Sequence, residues 1–138
     1  MTQTTTAPTL PDDAKALLDA PEHAVIATID PDGRPQLSVV WVARDGDDVL
    51  VSTVRGRRKA ENLERDPRAT VLVYARDEPH RYLEIRGDVT LVDDGPDSEL
   101  IHRLVRAYTG AERYTGDDGT SNQRVVVRLT PRRVVWRV

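Results

Sequence analysis

The strongest constraint in this chain is its punctuation: short, β-branched apolar runs alternate with turn signals at close intervals. HAVIATI (23–29) leads into Asp30-Pro31-Asp32-Gly33, where proline presets φ and glycine is free to take a positive φ. PQLSVVWVA (35–43) follows and ends at Asp45-Gly46-Asp47, and VLVSTV (49–54) comes next. Strands joined by turns this tight pair antiparallel, because a parallel return needs a crossover of about a dozen residues. The three runs are therefore expected to form a meander.

The remaining elements continue that pattern. Pro11-Asp12-Asp13 opens a short helix with Ala14, Leu17 and Leu18 on one face, stopping near Pro21. RRKAENLER (57–65) reads as a helix ending before Asp66-Pro67. ATVLVYA (69–75) and RYLEIRGDVTLV (81–92) read as strands, with Gly87 marking a bulge. Pro96 begins a helix that gathers Leu100, Ile101, Leu104, Val105 and Tyr108 on one face. Residues 109–122 form a loop of small and acidic residues, expected to be mobile or to cover something. QRVVVRL (123–129) and VVWRV (134–138) read as two terminal strands split by Pro131. The expected fold is mainly β with flanking helices, its six to seven antiparallel strands forming a small closed barrel over residues 10–138. Residues 1–9, polar and uncapped, are expected to be a disordered tail.

Composition narrows the function classes. The 138 residues suit one domain. With no phenylalanine, the core must come from Val, Leu, Ile and Ala. No cysteine means no disulfide, thiol nucleophile or thiolate metal site. A net charge of −3 argues against a general nucleic-acid binder. No apolar run approaches the roughly 20 residues of a membrane span, and the first ten residues lack a secretory pattern. A cytoplasmic location is the expectation.

The acid, base and nucleophile inventory is thin. His23, His80 and His102 share no metal-ligand spacing, so no metal site is expected, and no nucleophile elbow, Walker loop or dinucleotide fingerprint is present. An enzyme built from this chain would take its reactive atoms from a cofactor. Charge, glycine and a helix start converge only in STVRGRRKAENLERDP (52–67). Arg57, Arg58 and Lys59 crowd a helix N-terminus that is already partly positive, an awkward arrangement unless an anion sits there. The plainer alternative is a solvated helix with Arg58–Glu61 and Arg65 pairings. In GRPQLSVVW (33–41), alternation puts Gln36, Ser38 and Val40 on one face and Leu37, Val39 and Trp41 on the other. Gln36 and Ser38 could meet the edge of a flat heterocycle, or form the solvent face of an ordinary strand.

The motifs VIATIDPDGRPQLS and R-x-K-A-E-N-L-x-R-D-P-R-A, in this order around a strand, resemble the pyridoxamine 5′-phosphate oxidase-like split β-barrel family. The chain looks most similar to the branch that uses the deazaflavin coenzyme F-420 rather than FMN. The resemblance implies a split barrel of the FMN-binding kind. It also implies that Arg57 and Lys59 hold the cofactor phosphate, with Ser52 helping from the strand end. Asn62 would lie near that phosphate or lock its helix to the barrel. Gln36, Leu37 and Ser38 would run along the edge of the cofactor ring. The family completes its pocket across a homodimer, so His80 and Tyr82 would come from the second subunit. Arg58, extra charge at a place where a small residue is common, would reach the acidic tail of F-420 or face water.

The crowding of Arg55, Arg57, Arg58 and Lys59 in a net acidic chain favours F-420, whose phosphodiester carries a glutamate tail. The expected activity is hydride transfer between the deazaflavin and an electron-poor small molecule, with no catalytic side chain assigned. The alternatives are an FMN-dependent oxidoreductase of the pyridoxamine-phosphate-oxidase kind, for which Arg132-Arg133 could hold a substrate phosphate, and a non-catalytic cofactor-binding module.

Overall fold

The computed structural model describes residues 2–5 and 9–138. The elements run β1 (Thr2–Thr5), α1 (Asp12–Asp19), β2 (Ala24–Ile29), β3 (Pro35–Val40), β4 (Ala43–Asp45), β5 (Asp48–Val54), α2 (Arg58–Arg65), β6 (Arg68–Ala75), β7 (Glu78–Asp93), α3 (Glu99–Thr109) and β8 (Arg124–Arg137). Seven strands follow one antiparallel path, β3-β2-β6-β7-β8-β5-β4, and β1 adds to β8. The path stays open between β3 and β4, so the sheet curls into a barrel that is split along one side.

Strand alternation builds the core. Ala24 and Ile26 of β2, Val49 and Val51 of β5, Val71 and Val73 of β6, Leu83 and Ile85 of β7, and Val127 and Leu129 of β8 all point inward. Leu10, Ala14, Leu17 and Leu18 bring α1 onto this core, and Leu63 brings α2. A second, smaller cluster lies on the other face of β4 and β5, where Ala43 and Leu50 meet Leu100 and Leu104 of α3. The helix face read from 3.6-residue spacing is thus the one that α3 buries. No described helix is long and apolar enough to cross a membrane.

Four expectations are corrected. The barrel expected to close stays open between β3 and β4. The meander is broken: among the described residues β3 pairs only with β2, whereas β5 pairs with β4 and β8. The chain leaves the ladder at Trp41–Val42, where Tyr108 supplies the missing partners. Its hydroxyl accepts from the Val42 amide at 3.1 Å and donates to the Glu22 carbonyl at 2.5 Å. Next, β8 passes through Pro131 as one strand. The register shift between Arg86 and Gly87 absorbs the irregularity, with Gly87 opposite Pro131, so the bulge expected at Gly87 is present. Finally, the tail expected over residues 1–9 contains β1, which pairs with residues 134–137 along an edge of β8 that β5 does not reach. Leu10, just past that tail, is buried and its amide bonds Asp47 at 2.9 Å. Met1 and residues 6–8 lie outside the described residues.

Candidate functional site

β5 delivers Ser52 to the face that α3 covers, and the chain then turns through Arg55-Gly56. Gly56 has φ +93, a conformation that any side chain would strain, and it lets α2 start immediately afterwards. No side chain caps α2, so the amides of its first turn add to the positive end. Arg57 at the cap position and Lys59 in the first turn enter one cavity of about 270 Å³ with Ser52. Val39, Val40 and Trp41 form a wall, Ile101 and Leu104 of α3 another, and Tyr114 and Arg124 complete it.

The four clustered basic residues divide cleanly. Arg55 is held by Glu64 at 3.1 Å and by Asp93, and Arg58 by Asp30 at 3.1 Å. Arg57 and Lys59 have no carboxylate partner among the described residues. The Arg58–Glu61 pairing of the plainer reading does not form. Burial pushes the Lys59 ammonium below its usual pKa, and the charges of Arg57 and Arg124 push it the same way. Lys59 is half-buried and Arg57 exposed, and with no carboxylate at ion-pair distance from either among the described residues they make a pocket suited to an anion.

Ser52 provides an independent indication. Its hydroxyl is buried and has no hydrogen-bond partner among the described residues, a condition that costs about 1–3 kcal/mol if left unmet. A phosphate oxygen between Ser52, Arg57 and Lys59 would satisfy it, so these residues fit the phosphate of a flavin or deazaflavin.

The other residues singled out in the sequence lie elsewhere in this chain. Asn62 is 1% exposed and faces the barrel. Its amide donates to Thr28 Oγ1 at 3.1 Å and Asp30 Oδ1 at 3.0 Å, and Thr28 donates to Gln36 Oε1 at 2.7 Å. Asn62 and Gln36 therefore share one polar chain that fastens α2 to β2 and β3, and neither lines the pocket. Ser38 is a second buried hydroxyl without a partner. Leu37 and Val39 stand 62% and 68% exposed on the outer face of β3. His80 and Tyr82 sit near the start of β7, whereas Arg124 lies beside that strand's far end, where Asp93 faces Val125. Tyr82 is covered by the Arg137 guanidinium at 6.0 Å.

The sequence reading missed Arg124, Tyr114 and Asp117. Arg124 follows the 109–122 loop, and its side chain, 4% exposed, is gripped by Asp117 at 2.7 and 3.1 Å. The Tyr114 ring lies 5.0 Å from the same guanidinium. The loop is thus the covering of a pocket, and a lone arginine opening an apolar strand was the one available signal. His102, read as surface or packing, accepts the Tyr114 amide at 2.9 Å and anchors that loop.

An open barrel of this strand order, with a pocket lined by cations where strand, helix start and covering helix meet, is a split barrel of the FMN-binding kind. The pyridoxamine 5′-phosphate oxidase family model matches residues 10–135, and the chain belongs to that family, an oxidoreductase fold that binds flavins. A protein described as an F-420 reductase is 32% identical, with a TM-score of 0.78 over 88% of this chain and 95% of that one. A conserved hypothetical protein from Mycobacterium tuberculosis is 28% identical, with a TM-score of 0.70 over 95% of this chain and 88% of that one. A pyridoxamine 5′-phosphate oxidase-related, FMN-binding protein from Nostoc punctiforme shares the fold at 17% identity, with a TM-score of 0.56 over 80% of this chain and 71% of that one.

Proposed function

We propose that the chain is an F-420-dependent reductase acting on an electron-poor small molecule. The observation that carries this reading is the pair of carboxylate-free cations, Arg57 and Lys59, beside the unpartnered Ser52 hydroxyl. Likeness to an F-420 reductase at 32% identity supports the choice of cofactor. The deazaflavin, when bound, supplies a carbon-centred hydride donor or acceptor. The chain's own residues bind and orient. Arg57 and Lys59 fix the phosphate by charge-assisted hydrogen bonds, and Ser52 donates one more. Trp41, Ile101 and Leu104 exclude water from the adjoining wall. These lining residues bind and orient, and no catalytic side chain is assigned among them.

The same reading places the site between two copies of the chain. Leu37 and Val39 are the large apolar side chains exposed on β3, and Val39 also borders the pocket. His80 and Tyr82, at the wrong end of β7 in their own chain, would approach a pocket from the second copy.

An FMN-dependent oxidoreductase is the second reading, and one observation favours it. The charge surplus that pointed to a polyanionic tail is smaller in the structure than in the sequence, because Arg55 and Arg58 are already paired. Parallel fluorescence titrations with F-420 and FMN decide between the two. Micromolar F-420 binding with much weaker FMN binding upholds the first reading, and the reverse order upholds the second. Binding of neither removes both. Tight binding without turnover across a panel of acceptors identifies a cofactor carrier.

A further inference from the structure

Arg124 is the third cation of the pocket, and it differs from the other two in having a built-in partner. The β5–β8 ladder sets Arg124 opposite Val54 and Val126 opposite Ser52, so Arg124 and Ser52 are diagonal neighbours on one face. Its guanidinium lines the cavity with Arg57 and Lys59, and its charge helps depress the Lys59 ammonium. It is nevertheless committed at two nitrogens to Asp117, in the manner in which a guanidinium holds a phosphate.

Asp117 is also the knot of the covering loop. Its carboxylate accepts from Asn122 Nδ2 at 2.9 Å, and its carbonyl accepts from the Thr120 amide at 3.1 Å and the Thr120 hydroxyl at 2.6 Å. Around it the loop is mostly exposed and has little apolar burial. Besides the Tyr114–His102 bond, the Ala111 amide on Thr109 Oγ1, a weak bond from Arg106 to the Glu112 carbonyl and the Tyr114 ring on the Arg124 guanidinium, the Asp117–Arg124 pair is what fastens it. A carboxylate is thus held against a cationic pocket by an exposed loop with few other fastenings.

We propose that Asp117 is the internal counter-anion of Arg124 and that a bound phosphate displaces it, freeing the 111–122 loop from the pocket mouth. Arg124 is then a third phosphate-binding side chain, and the loop responds to ligand charge. The proposal rests on the phosphate reading of the pocket, and its test separates the two.

Inorganic pyrophosphate is the probe, titrated by calorimetry at fixed ionic strength into the wild type, Asp117→Asn, Arg124→Gln and the double variant. Asp117→Asn removes the competitor and is expected to bind about ten-fold tighter, and this gain should vanish in the Arg124→Gln background. Unchanged or weaker binding by Asp117→Asn overturns the proposal. That variant leaves a buried guanidinium unpaired and could fail to fold. Hydrogen exchange on the wild type therefore provides a second measurement. Saturating pyrophosphate should speed exchange of the amides at 114–120, and slowed or unchanged exchange overturns the proposal. Arg57→Ala identifies which reading fails. If pyrophosphate binds and Arg57→Ala weakens it while the two Asp117 results are negative, only the displacement fails. If pyrophosphate does not bind the wild type, the phosphate reading falls and the displacement with it.

Discussion

The Asn62 amide donates to Asp30 Oδ1 at 3.0 Å, tying the middle of α2 to the turn that joins β2 and β3. The same carboxylate oxygen receives Arg58 at 3.1 Å, so α2 and the first hairpin are fixed to each other through one acid. Asn62→Ala leaves Thr28 and Asp30 without this donor and is expected to cost about 2–3 kcal/mol of stability. Because Asn62 does not line the pocket, cofactor affinity measured where both proteins are folded should change by less than about three-fold. Denaturant unfolding and a fluorescence titration check the two halves.

The division among the basic residues predicts a graded mutational pattern. Arg57→Ala and Lys59→Ala should each weaken cofactor binding more than about ten-fold with the fold intact, each losing a charge-assisted bond worth roughly 1.5–3 kcal/mol. Arg55→Ala should change it less than about three-fold, since that side chain is engaged elsewhere. The depressed Lys59 ammonium adds a pH signature. Affinity should fall on the alkaline side below the usual lysine range, and Lys59→Arg should remove that limb.

Acid should destabilise the fold through three carboxyls. Hydrogen bonds from Asn62 and then Arg58 hold Asp30 below its usual pKa, Arg124 does the same for Asp117, and Arg68 holds Asp66 at about 2. These groups bind protons less readily folded than unfolded. Their stabilisation is complete above the unfolded pKa of about 4 and is lost as pH falls through the folded values, towards about 2 for Asp66. Melting curves between pH 5 and 2 should show that decline, and Asp66→Asn should flatten its most acidic part.

At Gly87, β7 leaves no room for a side chain against β8. A Cβ built there falls 2.1 Å from the Thr130 carbonyl oxygen and 3.0 Å from Leu129 Cδ1. Gly87→Ala must push β8 away and is expected to cost about 2–3 kcal/mol, read by urea unfolding. An unchanged midpoint would mean that the bulge has slack.

Charging the exposed face of β3 tests the shared site. Leu37→Glu should yield a monomer in sedimentation experiments at micromolar concentration, with cofactor binding weakened about ten-fold or more. A wild type that is monomeric at every concentration would sink the shared-site reading.

What the sequence determined by itself is local. Asp30-Pro31-Asp32-Gly33 and Asp45-Gly46-Asp47 dictate their turns, alternation dictates which strand residues face the core, and 3.6-residue spacing dictates the buried sides of α1 and α3. Arg57 and Lys59 were legible for the same reason, since two cations and a glycine at a helix start conflict within a few residues. Only the tertiary structure decided which charges stay free. Arg55 is quenched by Asp93 and Arg58 by Asp30, across separations that no short-range pattern encodes. It also decided that β5 leaves β3 for β8, because the Tyr108 hydroxyl, far along the chain, satisfies the backbone where the meander breaks. The pocket wall of Tyr114 and Arg124, with Asp117 paired to Arg124 behind it, arises in the same way. Turns and periodicity are settled by the backbone within a few residues, whereas pairing between distant groups exists only once the barrel has brought them together.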